Sequence, residues 1–175
     1  KWFDSAKALA QNVDVIISMV GYPQDVAEIY LGENGVIKNL KPQSIIIDMT
    51  TSSPRLAREI YQEAQKYEIK SLDAPVSGGD VGAKNGTLAI MVGGDKEVYE
   101  EVLPIFEAMG KTICYFGKAG SGQYAKMSNQ IAIASNMMGV CEAIAYAKKS
   151  GLNPDDVLKV ISTGAAGSWS LSNLA

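Results

Sequence analysis

Histidine is absent from all 175 residues, so this chain has no imidazole to serve as general base, nucleophile activator or metal ligand. Cysteine is nearly absent. Cys114 and Cys141 stand apart and outside any Cys or Cys/His cluster, so neither a disulfide scaffold nor a thiolate metal centre is expected. Both are expected to be small buried hydrophobes. No Asp/Glu cluster has metal-ligand spacing either, and no bound metal is expected. No continuous apolar run reaches transmembrane length, and no signal peptide is expected. A soluble, cytoplasmic protein with no membrane partner is the expectation. Charge of neither sign dominates: 16 basic and 19 acidic residues give a net charge of -3, too weak a field to draw the chain to nucleic acid. What remains is core material. Apolar types make up 47% and charged types 20%, which excludes wholesale disorder and suffices for one full domain but not comfortably for two.

Apolar runs and turn residues alternate along the first two thirds of the chain. Ser5 to Gln11 predicts a short helix. Val13–Val20 and Ser44–Met49 predict strands, β-branched on both parities as in parallel strands covered on both faces. Pro23 and Pro54 each open a helix; in the second, Leu56, Ile60 and Ala64 share one face. Ile69–Asp73, Leu88–Val92 and Lys111–Phe116 predict further strands, and Glu97–Met109 a helix with Val98, Val102, Ile105 and Met109 inward. The stretch APVSGGDVGAKNG predicts a loop that can return the chain antiparallel. Alternating strands and helices imply an α/β layer architecture with a largely parallel sheet. After the glycine-rich GKAGSGQ, Tyr124–Lys149 predicts one long helix on which Ile131, Ala134, Met138, Cys141 and Ala145 recur at helical spacing, and Asp155–Ile161 a second. The boundary falls near residue 118, dividing the chain into 1–118 and 119–175. The chain opens at KWFD without an initiator Met and stops at LSNLA without a polar tail, so a fragment whose sheet lacks its first strands is expected.

Two glycine-rich stretches lie where α/β folds bind ligands, beyond strand ends and at helix starts. Ser77, Gly78 and Gly79 offer unobstructed backbone N–H groups beside a hydroxyl, a cradle for a carboxylate or phosphate; the same glycines also suit a tight turn. In the second stretch Gln123, Lys126 and Gln130 fall on one helical side, with Asn129 three residues beyond Lys126. With no histidine present, Lys126 leads as a proton-transfer group, provided burial lowers its pKa. An ordinary solvated helix face is the alternative.

Four segments, VDVIISMVGYPQDVAEIYLGENGVI, IIIDMTTSSP, DAPVSGGDVGAKNGTLAIMVGG and GKAGSGQYAKMSNQIAIA, resemble the β-hydroxyacid dehydrogenase family, which includes 3-hydroxyisobutyrate dehydrogenase and tartronate semialdehyde reductase. The resemblance covers nearly the whole chain. It implies an incomplete Rossmann-type domain over 1–118 that binds NAD or NADP. A long interdomain helix and the start of an all-helical dimerisation domain would follow over 119–175. It implies Lys126 as the catalytic general acid/base; Ser77, Gly78, Gly79, Asn129 and Gln130 as substrate-binding; and Val20, Gly21, Asp25 and Thr51 as cofactor-binding. Gln130 stands where several members have a second asparagine and keeps the same donor and acceptor inventory. Gly21 replaces a common proline. The family's Gly-rich fingerprint belongs upstream of residue 1, and with it the residue that separates NAD from NADP. The 175-residue chain alone is therefore expected to be inactive. The complete protein is expected to be a homodimer or higher homo-oligomer that oxidises a small hydroxyacid. The alternatives are a decarboxylating sugar-acid dehydrogenase and a non-catalytic dinucleotide sensor on the same scaffold.

Overall fold

Runs of buried isoleucine dictate the centre of the sheet. In the computed structural model, which describes residues 1–175, β1 (Val15–Ser18), β2 (Ile45–Asp48) and β3 (Lys70–Asp73) lie side by side and parallel. The residues of β2 are all buried, and its isoleucines serve two cores in alternation. Ile46 joins Ala10, Val26, Tyr30, Ile60 and Ala64, which come from α1 (Ala6–Ala10), α2 (Pro23–Leu31) and α3 (Pro54–Gln65). Ile45 and Ile47 join Val98, Val102 and Phe106 of α5 (Lys96–Met109) on the other face. Helices on both faces of a sheet follow directly from apolar residues on both parities.

β1 departs from expectation. It is shorter than Val13–Val20 and pairs only with β2, and Ile17 is 43% exposed, since nothing in this chain covers that face of an edge strand. Past β3 the direction reverses. β5 (Leu88–Gly94) runs antiparallel to β3 through Asp73 and Gly93, and antiparallel to the short β4 (Val76–Ser77) through Val76 and Ile90. β6 (Gly110–Gly117) then lies parallel to β5 on its other side. Part of the expected loop is in fact a helix, α4 (Gly79–Asn85), ended by Gly86 in the left-handed region at φ 62°. It has no apolar period to read, and Val81 lies on its exposed surface. On α5 the deepest residue is Phe106, with Ile105 and Met109 only partly buried.

Contacts divide the chain into two compact units, Lys1–Lys126 and Met127–Ala175. The second holds most of α6 (Ser121–Lys149) together with α7 (Pro154–Ile161) and α8 (Trp169–Leu174). Asn153 caps α7 through the Asp155 N–H, at 3.0 Å. The Ser168 hydroxyl accepts the Leu171 N–H at the start of α8 and donates to Asn136. α8 has no counterpart among the elements expected from local pattern. Both cysteines are exposed rather than buried. Cys114 sits on the last strand added to the sheet, and Cys141 belongs to an α6 face that nothing in this chain covers, along with Ile131 and Met138.

Candidate functional site

Each of the three parallel strands ends on a buried polar residue, Ser18, Asp48 or Asp73. Ser18 Oγ donates to Asp48 Oδ1 at 2.9 Å, which leaves the Tyr30 hydroxyl as donor in the 2.7 Å bond it shares with Ser18. Asp48 Oδ1 also accepts the Thr50 N–H, and Thr50 Oγ1 accepts the Val20 N–H, both at 3.0 Å. Burial raises the Asp48 carboxyl above its ordinary range, against the pull of these donors. The network ties the segment after β1 to the segment after β2.

Asp73 does more. Its Oδ1 accepts the Gly120 N–H at 2.7 Å and its Oδ2 the Gln123 N–H at 2.9 Å, so it supplies the anion at the start of α6. Helix N-termini leave backbone donors unpaired and carry partial positive charge, which a carboxylate satisfies on both counts. Glycines make the approach close. A Cβ on Gly93 would come within 2.7 Å of Gly122 N, and Gly120 adopts φ +90°. Desolvation pushes the Asp73 carboxyl from 3.8 up to about 6, against those N–H bonds. Because the folded value lies above the unfolded one, folding favours the protonated form. The resulting stabilisation is complete below the unfolded value of 3.8 and disappears as pH rises through about 6. Carbon-detected NMR of the Asp73 carboxyl is expected to give a midpoint near 6; an unshifted midpoint would count against this account.

The stretch Gly120-Ser121-Gly122-Gln123-Tyr124-Ala125 follows a strand, opens a helix and has the G-x-G-x-x-A spacing of a dinucleotide fingerprint. It is not available for that use. Two of its N–H donors are already on Asp73, and an ionised carboxylate at that point repels a pyrophosphate.

Gln123, only 1% exposed, faces the other side of the junction. Its Oε1 accepts the Ser52 N–H at 2.9 Å and its Nε2 donates to the Thr50 carbonyl at 2.8 Å. One carboxamide thus grips the backbone on both sides of Thr51, whose own side chain is exposed. Three residues further along α6, Lys126 is 7% exposed and enters no ion pair. Burial lowers its ammonium below the ordinary lysine range.

The other candidate residues are distributed as follows. Ser77 is half-buried on β4 opposite Ala89 of β5, the strand whose Met91 carbonyl meets Gly122. Gly78 and Gly79 are exposed, at φ 132° and 61°, and nothing lies within 4 Å of where a Cβ on Gly79 would be. The first unit therefore brings together Thr51, Lys126 and the strand leading to Ser77. Asn129 and Gln130 lie in the second unit, where their amides bond each other at 2.9 Å. Val20 and Gly21 follow β1. The Asp25 carboxylate is engaged in the first turn of α2, accepting the Tyr22 N–H at 2.8 Å. The residues that sequence reasoning undervalued are Asp73 and Gln123. Asp73 stands 47 positions from Gly120, and no local spacing connects them.

The strand ends fit the nicotinamide end of a dinucleotide. They present an exposed Gly21 and an exposed Thr51, and the buried Ser52 Oγ has no partner, so a polar group remains unused at this edge. No set of His, Cys, Asp or Glu side chains that could hold a metal ion is present.

The sequence profile of the NAD binding domain of 6-phosphogluconate dehydrogenase matches residues 1–117. That of the NAD-binding of NADP-dependent 3-hydroxyisobutyrate dehydrogenase matches residues 120–175. The chain is 63% identical to the oxidoreductase YkwC of Bacillus subtilis over 99% of its own length and 60% of that protein's. To the probable 3-hydroxyisobutyrate dehydrogenase-like 2, mitochondrial, of Arabidopsis thaliana it is 47% identical, over 94% of this chain and 55% of the relative. Among solved structures, 3-hydroxyisobutyrate dehydrogenase of Mycobacterium tuberculosis with L-serine superposes at a TM-score of 0.84 with 34% identity, over 98% of this chain and 58% of that one. The chain thus spans just over half the length of these relatives. On the matched profiles, with the parallel strand ends and the docked α6 start, it belongs to the β-hydroxyacid dehydrogenase family, and its first unit is an NAD(P)-binding domain of Rossmann type.

Proposed function

We propose that the complete protein is an oxidoreductase that transfers a hydride between NAD or NADP and a small β-hydroxyacid of the 3-hydroxyisobutyrate or glycerate/tartronate semialdehyde type. The observation that carries the reading is Lys126, a buried lysine without a counter-ion on a helix whose start is docked against the strand ends. When bound, the nicotinamide supplies or takes up the hydride. Lys126 Nζ takes the hydroxyl proton in oxidation and returns one to the forming alkoxide in reduction; a lowered pKa makes both states accessible. The N–H groups of Gly78 and Gly79 and the Ser77 hydroxyl hold the substrate carboxylate, and the Asn129 and Gln130 amides contact the rest of the substrate. Val20, Gly21, Asp25 and Thr51 line the nicotinamide side. Asp25 does so by shaping the turn, since its carboxylate is occupied by the Tyr22 N–H.

Residues 119–175 begin a helical domain through which the complete protein forms a dimer or higher homo-oligomer. The exposed apolar side chains of α6 support this, as light scattering can check. No helix is long and apolar enough to cross a membrane, and we place the protein in the cytoplasm. Turnover of short β-hydroxyacids with NAD and with NADP tests the reading directly. Cofactor binding without turnover would favour a sensor instead. Within the same assay Ser77→Ala raises KM for the acid by about tenfold or more, the scale of losing one charge-assisted hydrogen bond, and leaves KM for the cofactor unchanged. An unaltered KM for the acid would remove Ser77 from the carboxylate site.

A further inference from the structure

We propose that Asp73 and Gln123 are the positioning residues of this site. Together they fix the start of α6 to the strand ends, so that Lys126 and Thr51 are held in one frame. The proposal rests on the reading that Lys126 moves the proton.

The first argument is the identity of the cap. α1, α3, α7 and α8 begin on Ser5, Ser53, Asn153 and Ser168, each of which accepts an N–H two or three residues ahead. A local cap satisfies a helix start wherever that helix lies. At α6 the acceptor is instead Asp73, 47 positions away at the end of β3. A remote cap satisfies the same donors and also dictates where the helix begins. At Gly93 and Gly122 a Cβ would collide with this junction, so the helix start lies in direct backbone contact with the sheet.

The second argument is the chemistry of Gln123. The Gln123 carboxamide accepts from one backbone N–H and donates to a carbonyl two residues earlier through separate atoms of one planar group, a pairing that does not depend on protonation state. Ionised glutamate lacks the donor, methionine lacks both groups, and asparagine is one methylene short. The two backbone groups are those flanking Thr51, and Gln123 lies one helical turn before Lys126, on the same side of α6. One buried carboxamide therefore connects the nicotinamide-side loop to the proton-transfer lysine. Neither Asp73 nor Gln123 belongs to the two apolar cores, where bulk stability resides.

The test uses the complete protein with NAD or NADP and the hydroxyacid it turns over fastest. Gln123→Met and Asp73→Asn are expected to lower kcat by about tenfold to a hundredfold, the effect of sub-ångström to ångström misplacement, with KM values within about twofold. In a Lys126→Ala background the added Gln123→Met change is expected to alter the residual rate by less than about twofold, because it acts through the lysine. The proposal is overturned if Lys126→Ala is impaired while both positioning variants keep wild-type kcat. A comparable further drop on adding Gln123→Met to the lysine variant also overturns it, as does failure of Gln123→Met to fold, since both mark a purely structural role. If Asp73→Asn does not fold, Gln123→Met and the double variant decide. Wild-type turnover in Lys126→Ala alone is a separate result: it removes the reading underneath.

Discussion

Lys126→Ala in the complete protein is expected to lower turnover by about two orders of magnitude or more, the usual scale for a positioned acid/base, with little change in cofactor affinity. No histidine exists to take over, and none of the ion pairs includes this lysine. The pH dependence has a definite sign. Burial holds the ammonium below the ordinary lysine range, so the neutral amine forms at lower pH than an exposed lysine allows. Hydroxyacid oxidation, which needs that amine, rises with pH and levels off early. Reduction needs the ammonium and declines over the same window. Steady-state rates in both directions across pH check this. Near-normal turnover with an unchanged profile in the alanine variant would return Lys126 to an ordinary helix face.

Gly122→Ala carries the largest expected effect on stability. The added methyl would lie 2.6 Å from the Asp73 carbonyl oxygen and 2.9 Å from its Oδ2, and it would also strike the Met91 carbonyl. Two are backbone carbonyl oxygens of sheet strands and the third is a carboxylate oxygen held by the helix start, so none can swing aside as a flexible side chain would. We expect a loss of about 3 kcal/mol or more, at the upper end for overpacking. Gly79→Ala provides the contrast. No atom lies within 4 Å, so only the strain of φ +61° remains, and the cost is about 1–2 kcal/mol. Urea unfolding of the two variants should separate them clearly; equal losses would mean that the junction at Gly122 yields.

Much of the fold could be read from local pattern. Three isoleucines in succession in β2, Pro54 at the head of α3, and the i, i+4 face of Leu56, Ile60 and Ala64 each depend on neighbours in sequence, and the structure places them as read. The failures share a cause. The exposure of Ile17, Cys114 and Cys141 depends on what covers a surface, which residue types do not specify. α4 and α8 are too short to display a period. The candidate site divides in the same way. Lys126 could be found by elimination and by its place after a glycine hinge, whereas Val20, Gly21, Asp25 and Thr51 came only through family resemblance. The contacts that organise the site could not be read at all. Gln123 reaches residues 71 and 73 positions away, and nothing in the intervening sequence announces the meeting.

Loops at ligand sites are commonly among the parts of a protein that open most readily. The segment after β2 is built differently. Its Thr50 and Ser52 amides, like that of Val20 after β1, donate to side chains, and all three acceptors, Asp48, Gln123 and Thr50, are buried. Such amides cannot exchange with solvent one at a time by loop fluctuation. Releasing Ser52 breaks its bond to Gln123, the residue whose own N–H is held by the Asp73 carboxylate. The loop and the helix start are therefore expected to open as one cooperative unit, with matching hydrogen-exchange protection at Val20, Ser52 and Gln123. Because that unit includes the beginning of the helix that carries Lys126, opening of the segment after β2 is expected to disengage the lysine at the same moment.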